Sequence, residues 1–164
     1  MIKGPRHRPE TATAPNSGWK PEPTGVLPQR EPAALTEPAA PFRPTAQRLR
    51  ILVVEDNRDA AESLRMLLGL MGHDVKVTFS GPDGLAAASS WNPQAVVCDI
   101  GLPGLDGYGV ARALRQKPAT AQVRLIALTG YGSDDDRRRA HEAGFDFHLV
   151  KPAAPELLQE LLTT

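Results

Sequence analysis

The chain has 164 residues, room for one ordinary domain and an extra segment, since domains commonly run ~100–200 residues. Lysine and arginine number 19 and aspartate and glutamate 19, and this zero net charge argues against a strongly basic nucleic-acid binder and against an extended acidic tail. The single cysteine, Cys98, excludes a disulfide framework and a zinc site built on several thiolates, and no apolar run approaches the ~20 residues needed to cross a bilayer. No apolar stretch follows the charged, proline-bearing first ten residues, so no secretory signal is expected and the expected location is the cytoplasm.

Ten of the 16 prolines lie between Pro5 and Pro44, interleaved with Ala, Thr, Glu and Arg. Only Ile2, Trp19, Val26, Leu27, Leu35 and Phe42 offer sizeable apolar burial there, too little to offset ~1–2 kcal/mol per residue of backbone ordering entropy. Residues 1–47 are therefore expected to be a disordered, Pro-rich N-terminal extension, and residues 48–164 the folded domain. Pro38-Ala39-Ala40-Pro41 and Pro41-Phe42-Arg43-Pro44 have the spacing of Pro-rich ligands, but a simple tether accounts for them as well.

From Arg48 onward the pattern changes. Ile51-Leu52-Val53-Val54, Ala95-Val96-Val97-Cys98 and Leu125-Ile126-Ala127-Leu128 are short continuous apolar runs, suited to strands buried on both faces of a parallel sheet. Val75, Val77 and Phe79 alternate with Lys76 and Thr78, as in a less protected edge strand, and Phe147, Leu149 and Val150 make a weaker fifth. Helical patterns fill the gaps. Ala60, Leu64, Leu67, Leu68 and Met71 follow the N-cap Asn57, and Ser80 with Pro82 and Asp83 opens a second helix that ends near Trp91 and Asn92. Val110, Ala113 and Leu114 mark a third, Ser133 with three aspartates opens a fourth, and Leu157, Leu158, Leu161 and Leu162 give the last. Five βα units predict an α/β fold, a three-layer (βα)5 doubly wound sandwich with right-handed crossovers.

In such sheets ligands bind beyond the carboxyl ends of the strands. Glu55 and Asp56 follow the first run, Asp99 the third, Thr129 the fourth and Lys151 the fifth. Three carboxylates gathered on one edge require protons or a cation to neutralise them. Hard oxygen ligands suit Mg²⁺, a cation opposite a lysine clamps a phosphoryl group from both sides, and aspartate is itself a nucleophile towards phosphorus. The set points to phosphoryl transfer onto a carboxylate. Each position alone has a plainer reading: Glu55 and Asp56 as first-turn acids of a helix, Asp99 and Asp106 as turn residues, Thr129 as a strand-end hydroxyl and Lys151 as a surface charge. Jointly those readings need five coincidences on one edge. Cys98 reads as a small buried apolar group, and acids 134–136 followed by arginines 137–139 as a solvated, self-pairing helix face.

The stretches VVEDN (53–57), CDIGLPGLDGY (98–108), ALTGYG (127–132) and HLVKP (148–152), in this order, resemble those of response-regulator receiver domains of the CheY-like family, over about residues 49–162. The end pattern FDFHLVKPAAPELLQELL (145–162) is similar to receivers of hybrid sensor histidine kinases. The resemblance implies the flavodoxin-like sheet order 2-1-3-4-5 and a two-component phosphorelay role. Asp99 is then the phosphoacceptor, Mg²⁺ is held by Glu55, Asp56, Asp99 and the backbone carbonyl of Gly101, and Lys151 pairs with the phosphoryl oxygens. Thr129 binds and reports the phosphoryl group, Gly130 leaves backbone open beside it, and Pro152 follows a cis peptide. The chain is expected to be no enzyme beyond phosphoryl transfer to its own Asp99 and hydrolysis of the product. Its expected partners are a histidine kinase or histidine phosphotransfer protein and a downstream protein, with no direct nucleic acid or membrane binding, because Thr164 closely follows the fifth helix. Receivers carry Tyr or Phe three positions before the lysine; His148 stands there, so a switch set by imidazole hydrogen bonding and a half-exposed strand histidine are both open. Alternatives are a phosphorylation-independent interaction module and a detached C-terminal receiver of a hybrid kinase. An aspartyl-phosphate phosphatase of the haloacid-dehalogenase type needs an acid two residues after the nucleophile, where Gly101 stands, and Glu55-Asp56-Asn57 repels a flavin phosphate.

Overall fold

The computed structural model describes residues 47–130 and 132–163; the Pro-rich stretch and its ligand-like spacings lie outside the described residues. The elements alternate as β1 (Arg50–Val54), α1 (Arg58–Leu70), β2 (Asp74–Thr78), α2 (Gly81–Trp91), β3 (Ala95–Asp99), α3 (Gly107–Gln116), β4 (Arg124–Thr129), α4 (Asp134–Ala143), β5 (Phe147–Val150) and α5 (Pro155–Thr163). All five strands are parallel, in the order β2-β1-β3-β4-β5. The continuous apolar runs became the three central strands, and the alternating and weaker runs became the edges, as two-sided burial requires.

Alternation along each central strand feeds two cores. Leu52, Val54, Val96, Cys98, Leu125 and Ala127 pack with Val110, Leu114, Ala140 and Phe145 on one face. On the other, Ile51, Val53, Val97, Ile126 and Leu128 pack with Leu68 of α1 and Leu158 and Leu162 of α5. A one-residue slip in any strand would exchange these sets, so the register is strongly fixed. It aligns Val54 with Cys98, Asp99 with Leu128 and Thr129 with Val150, which brings the strand-end residues to one edge.

Helix starts follow the expected caps. The Asn57 side chain accepts from the Asp59 and Ala60 N–H groups at 3.0 Å, and the Ser80 and Ser133 hydroxyls accept from Asp83 and Asp136 N–H at 3.3 and 3.1 Å. Asp106 caps α3 by accepting from Gly109 N–H at 2.7 Å, a sharper role than a turn residue. Gly107 begins that helix directly against β3: a Cβ there would run into the Asp99 carbonyl and lie 2.7 Å from Ile100 Cα. Arg115 donates to Gly144 O (2.8 Å), Ala121 O and Val123 O (2.7 Å each) and the Asp146 carboxylate (2.8 Å), tying α3 to the entrances of β4 and β5.

One helix face differs from expectation. Of the three arginines following the α4 aspartates, Arg138 pairs with Asp135 and Glu142, whereas Arg139 lies over the Tyr108 ring and Arg137 has no ion pair among the described residues. Successive arginines point in directions about 100° apart, so one turn of acids faces only part of the set. Among the described residues no helix is long and apolar enough to cross a membrane.

Candidate functional site

Glu55 leaves β1 with its N–H donating to Thr78 O at 3.1 Å, which continues the β1–β2 ladder and turns the side chain inward; the residue is 1% exposed. Its carboxylate accepts from Asn57 N–H at 3.2 Å and from Lys151 Nζ at 2.6 Å. The same ammonium reaches Asp99 Oδ2 at 3.0 Å, while Asp99 Oδ1 accepts from Gly101 N–H at 3.1 Å. Asp99 is 8% exposed and Asp56 stands exposed at the mouth. One oxygen from each of Glu55, Asp56 and Asp99 lies within 4.8 Å of the other two.

Lys151 is aimed by its backbone: its N–H donates to Thr129 O at 2.8 Å, carrying the β4–β5 pairing one step further, and the Lys151–Pro152 peptide is cis. Burial works against the ammonium, but hydrogen bonds to Glu55 and Asp99 and the charges of both outweigh it, so its pKa is raised and the lysine stays charged. One ammonium against three carboxylates still leaves negative charge in place. Two of the three carboxylates are buried, and the donors are all oxygens, so the set fits a small hard divalent cation.

Thr129 ends β4 one strand from Asp99 and is 6% exposed. Gly130 is exposed, and a Cβ there would meet nothing within 4 Å; a Cβ at Gly101 would lie 3.6 Å from Asp99 Oδ2. Gly101 thus keeps side-chain bulk away from the carboxylate, and Gly130 borders open space. Cys98 is buried, its thiol donates to Asp99 O at 3.2 Å, and its pKa is pushed up chiefly by burial and then by the Asp99 charge, which suits packing rather than reactivity.

His148 is not among the groups meeting at Lys151. It sits opposite Ala127 on β5, and its Nε2 is buried without a hydrogen-bond partner among the described residues. Burial, then Arg137, lowers its pKa against the opposing pull of Asp136. Sequence reasoning missed the pairing of Arg58 with Phe79, the guanidinium lying 4.4 Å over the ring. It also missed a cavity of about 450 Å³ that opens from Glu55 and Lys151 along Leu64 and Leu67 of α1 to Pro152 and Ala153. Both join residues more than fifteen positions apart, and no local pattern signals such a pairing.

Acids at the ends of β1 and β3, on either side of the point where strand order reverses, with a lysine that follows β5 paired to two of them, define a doubly wound α/β protein with an acidic cluster at the carboxyl edge of its sheet. Residues 51–163 match the family described as response regulator receiver domain, and the chain belongs to that family, a class of two-component signalling switches. It is 41% identical over 103 residues to the transcriptional regulatory protein PrrA of Mycobacterium leprae, covering 63% of this chain and 43% of that one. It is 34% identical over 108 residues to a gliding motility regulatory protein of Myxococcus xanthus, covering 66% of this chain and 14% of that one. The chain thus spans less than half the length of these curated relatives. Among solved structures, the receiver domain of the sensor histidine kinase PA1611 from Pseudomonas aeruginosa, with a magnesium ion coordinated in its active-site cleft, matches at 31% identity and a TM-score of 0.66 over 71% of this chain and 95% of that one.

Proposed function

We propose that Asp99 accepts a phosphoryl group from a phosphohistidine of a kinase or phosphotransfer protein, within a receiver unit of residues 48–164 acting in the cytoplasm. The carrying observation is the Lys151 ammonium at 2.6 Å from Glu55 and 3.0 Å from Asp99, beside three carboxylate oxygens mutually within 4.8 Å. An Asp99 carboxylate oxygen attacks phosphorus in line. The O–P bond forms as the N–P bond breaks, and the electron pair returns to the donor imidazole nitrogen, which takes up a proton.

Lys151 exchanges its contact with Asp99 for the phosphoryl oxygens, keeping Glu55 as its anchor, and so stabilises the charge spreading over them. The Thr129 hydroxyl donates to a phosphoryl oxygen and ties β4, and α4 beyond it, to the state of the site. Gly101 and Gly130 leave room for the donor. Glu55, Asp56, Asp99 and the Gly101 carbonyl would hold Mg²⁺, which when bound supplies further neutralisation of the phosphoryl charge. Water attacking phosphorus in the same clamp breaks the O–P bond to Asp99, releases inorganic phosphate and resets the switch. The apolar cavity along α1 supports a protein donor, since a partner reaching Asp99 past Lys151 also covers that groove.

Mass spectrometry of the intact chain after incubation with acetyl phosphate and Mg²⁺ tests this reading. One phosphoryl adduct is expected on wild type and none on Asp99→Asn; an adduct of equal yield on the variant contradicts it.

A further inference from the structure

We propose that the cleft between α3 and α4 is a second ligand site, which holds an oxyanion, carboxylate or phosphate, between Arg112 and Arg139. The cleft has a volume of about 360 Å³ and is lined by Asp106, Tyr108, Arg112, Arg139, Glu142 and Ala143. Tyr108 and Arg112 are one helical turn apart on α3 and so share a face, and Arg139 approaches from α4. The Arg139 guanidinium lies 4.9 Å from the centre of the Tyr108 ring. An aromatic platform holds the flat face of a guanidinium and leaves its N–H edge available for the forked geometry that matches carboxylate or phosphate.

Among the described residues the surrounding acids have polar partners, and the two guanidiniums have no ion pair. Asp106 accepts from Gly109 N–H at 2.7 Å, Asp135 pairs with Arg138, Asp136 accepts from the Ser133 hydroxyl at 2.6 Å, and Glu142 lies 3.8 Å from Arg138. Neither Arg112 nor Arg139 makes an ion pair or hydrogen bond to a described residue, in contrast to Arg115 and its four partners. With Asp106 and Glu142 on the rim the local charge is balanced, so the cleft selects by fork geometry rather than by bulk attraction. The loop from Asp99 leads into α3 and the loop from Thr129 leads into α4. An anion bridging the two arginines therefore fastens together the two helices that leave the phosphorylation edge, which makes the site a means of biasing α4.

The experiment is an ¹H–¹⁵N NMR titration of the full chain with magnesium chelated and ionic strength fixed, adding inorganic phosphate in one series and a blocked glutamate-rich peptide in another. Saturable shifts are expected at Tyr108, Arg112, Arg139 and Glu142, with affinity falling about tenfold in Arg112→Gln and in Arg139→Gln and unchanged in the neighbouring Arg137→Gln. Arg112→Gln leaves the Tyr108 stack intact, so it carries the test if Arg139→Gln unfolds. Saturation by phosphate assigns a free anion, and saturation by the peptide alone assigns carboxylates of a partner chain. No saturation by either, shifts confined to Gly101, Thr129 and Lys151, or affinity undiminished in Arg112→Gln overturns the proposal.

Discussion

Among the described residues, Lys151 is the one cation paired with the two buried carboxylates Glu55 and Asp99, so its charge contributes to folding. In Lys151→Gln, Glu55 stays buried without a counter-charge, and we expect a loss of about 2 kcal/mol in urea denaturation without metal. That is less than for a fully buried pair because the lysine side chain is 31% exposed. Added Mg²⁺ should return part of the loss, and a variant as stable as wild type in chelator would contradict the ion-pair account. At His148 a buried ring nitrogen lacks a partner among the described residues. His148→Tyr removes that group, and the expected outcome is altered hydrogen exchange across α4 and altered partner binding with and without phosphate; no change in either would make the imidazole a passive strand residue. The five strand-end residues were legible because each lies within two positions of the end of an apolar run. Arg58 on Phe79 and Arg139 on Tyr108 were not, because a cation–ring pair between distant segments leaves no periodic trace.

Element boundaries followed side-chain chemistry more than hydrophobic rhythm. The rhythm of α3 begins at Val110, yet the helix starts at Gly107 because Asp106 caps it and the glycine can press against the β3 backbone. Gly107→Ala must displace the loop that carries Asp99, with an expected destabilisation of about 1–3 kcal/mol in thermal or urea unfolding and slower phosphoryl uptake. Gly69→Ala, in α1 where an added Cβ meets nothing within 4 Å, should instead stabilise by about 0.5–1 kcal/mol. Equal effects of the two substitutions would show that helix propensity rather than backbone contact governs both. The self-pairing face expected of α4 was only partly right: the order of charges was plain in the sequence, but which arginine turns towards α3 depends on how the helix is seated.

At the scale of the molecule, among the described residues two histidines, His73 and His148, link stability to pH through lowered pKa values. His73 is 6% exposed and its Nδ1 accepts from Leu49 N–H at 3.2 Å, and burial lowers its pKa as it does that of His148. The unfolded chain therefore binds protons more readily than the folded one. Their contribution is complete above the ordinary histidine value of about 6.5 and is lost as pH falls through the lower folded values. The melting temperature should fall as pH drops from about 7.5 to 5, and a flat or rising profile would contradict this sign. The sandwich itself was readable from five apolar runs and five capped helices, while the strand order came from the resemblance, since no single run states its neighbours. What unites the scales is the proposed role of one sheet edge in presenting the Asp99 carboxylate to a phosphodonor. Borohydride reduction of the chain after acetyl phosphate and Mg²⁺ treatment, followed by peptide sequencing by mass spectrometry, tests that most directly. Reductive conversion of position 99 alone to homoserine is the predicted result, and conversion at Asp56, Asp106 or another acid, with Asp99 intact, would contradict it.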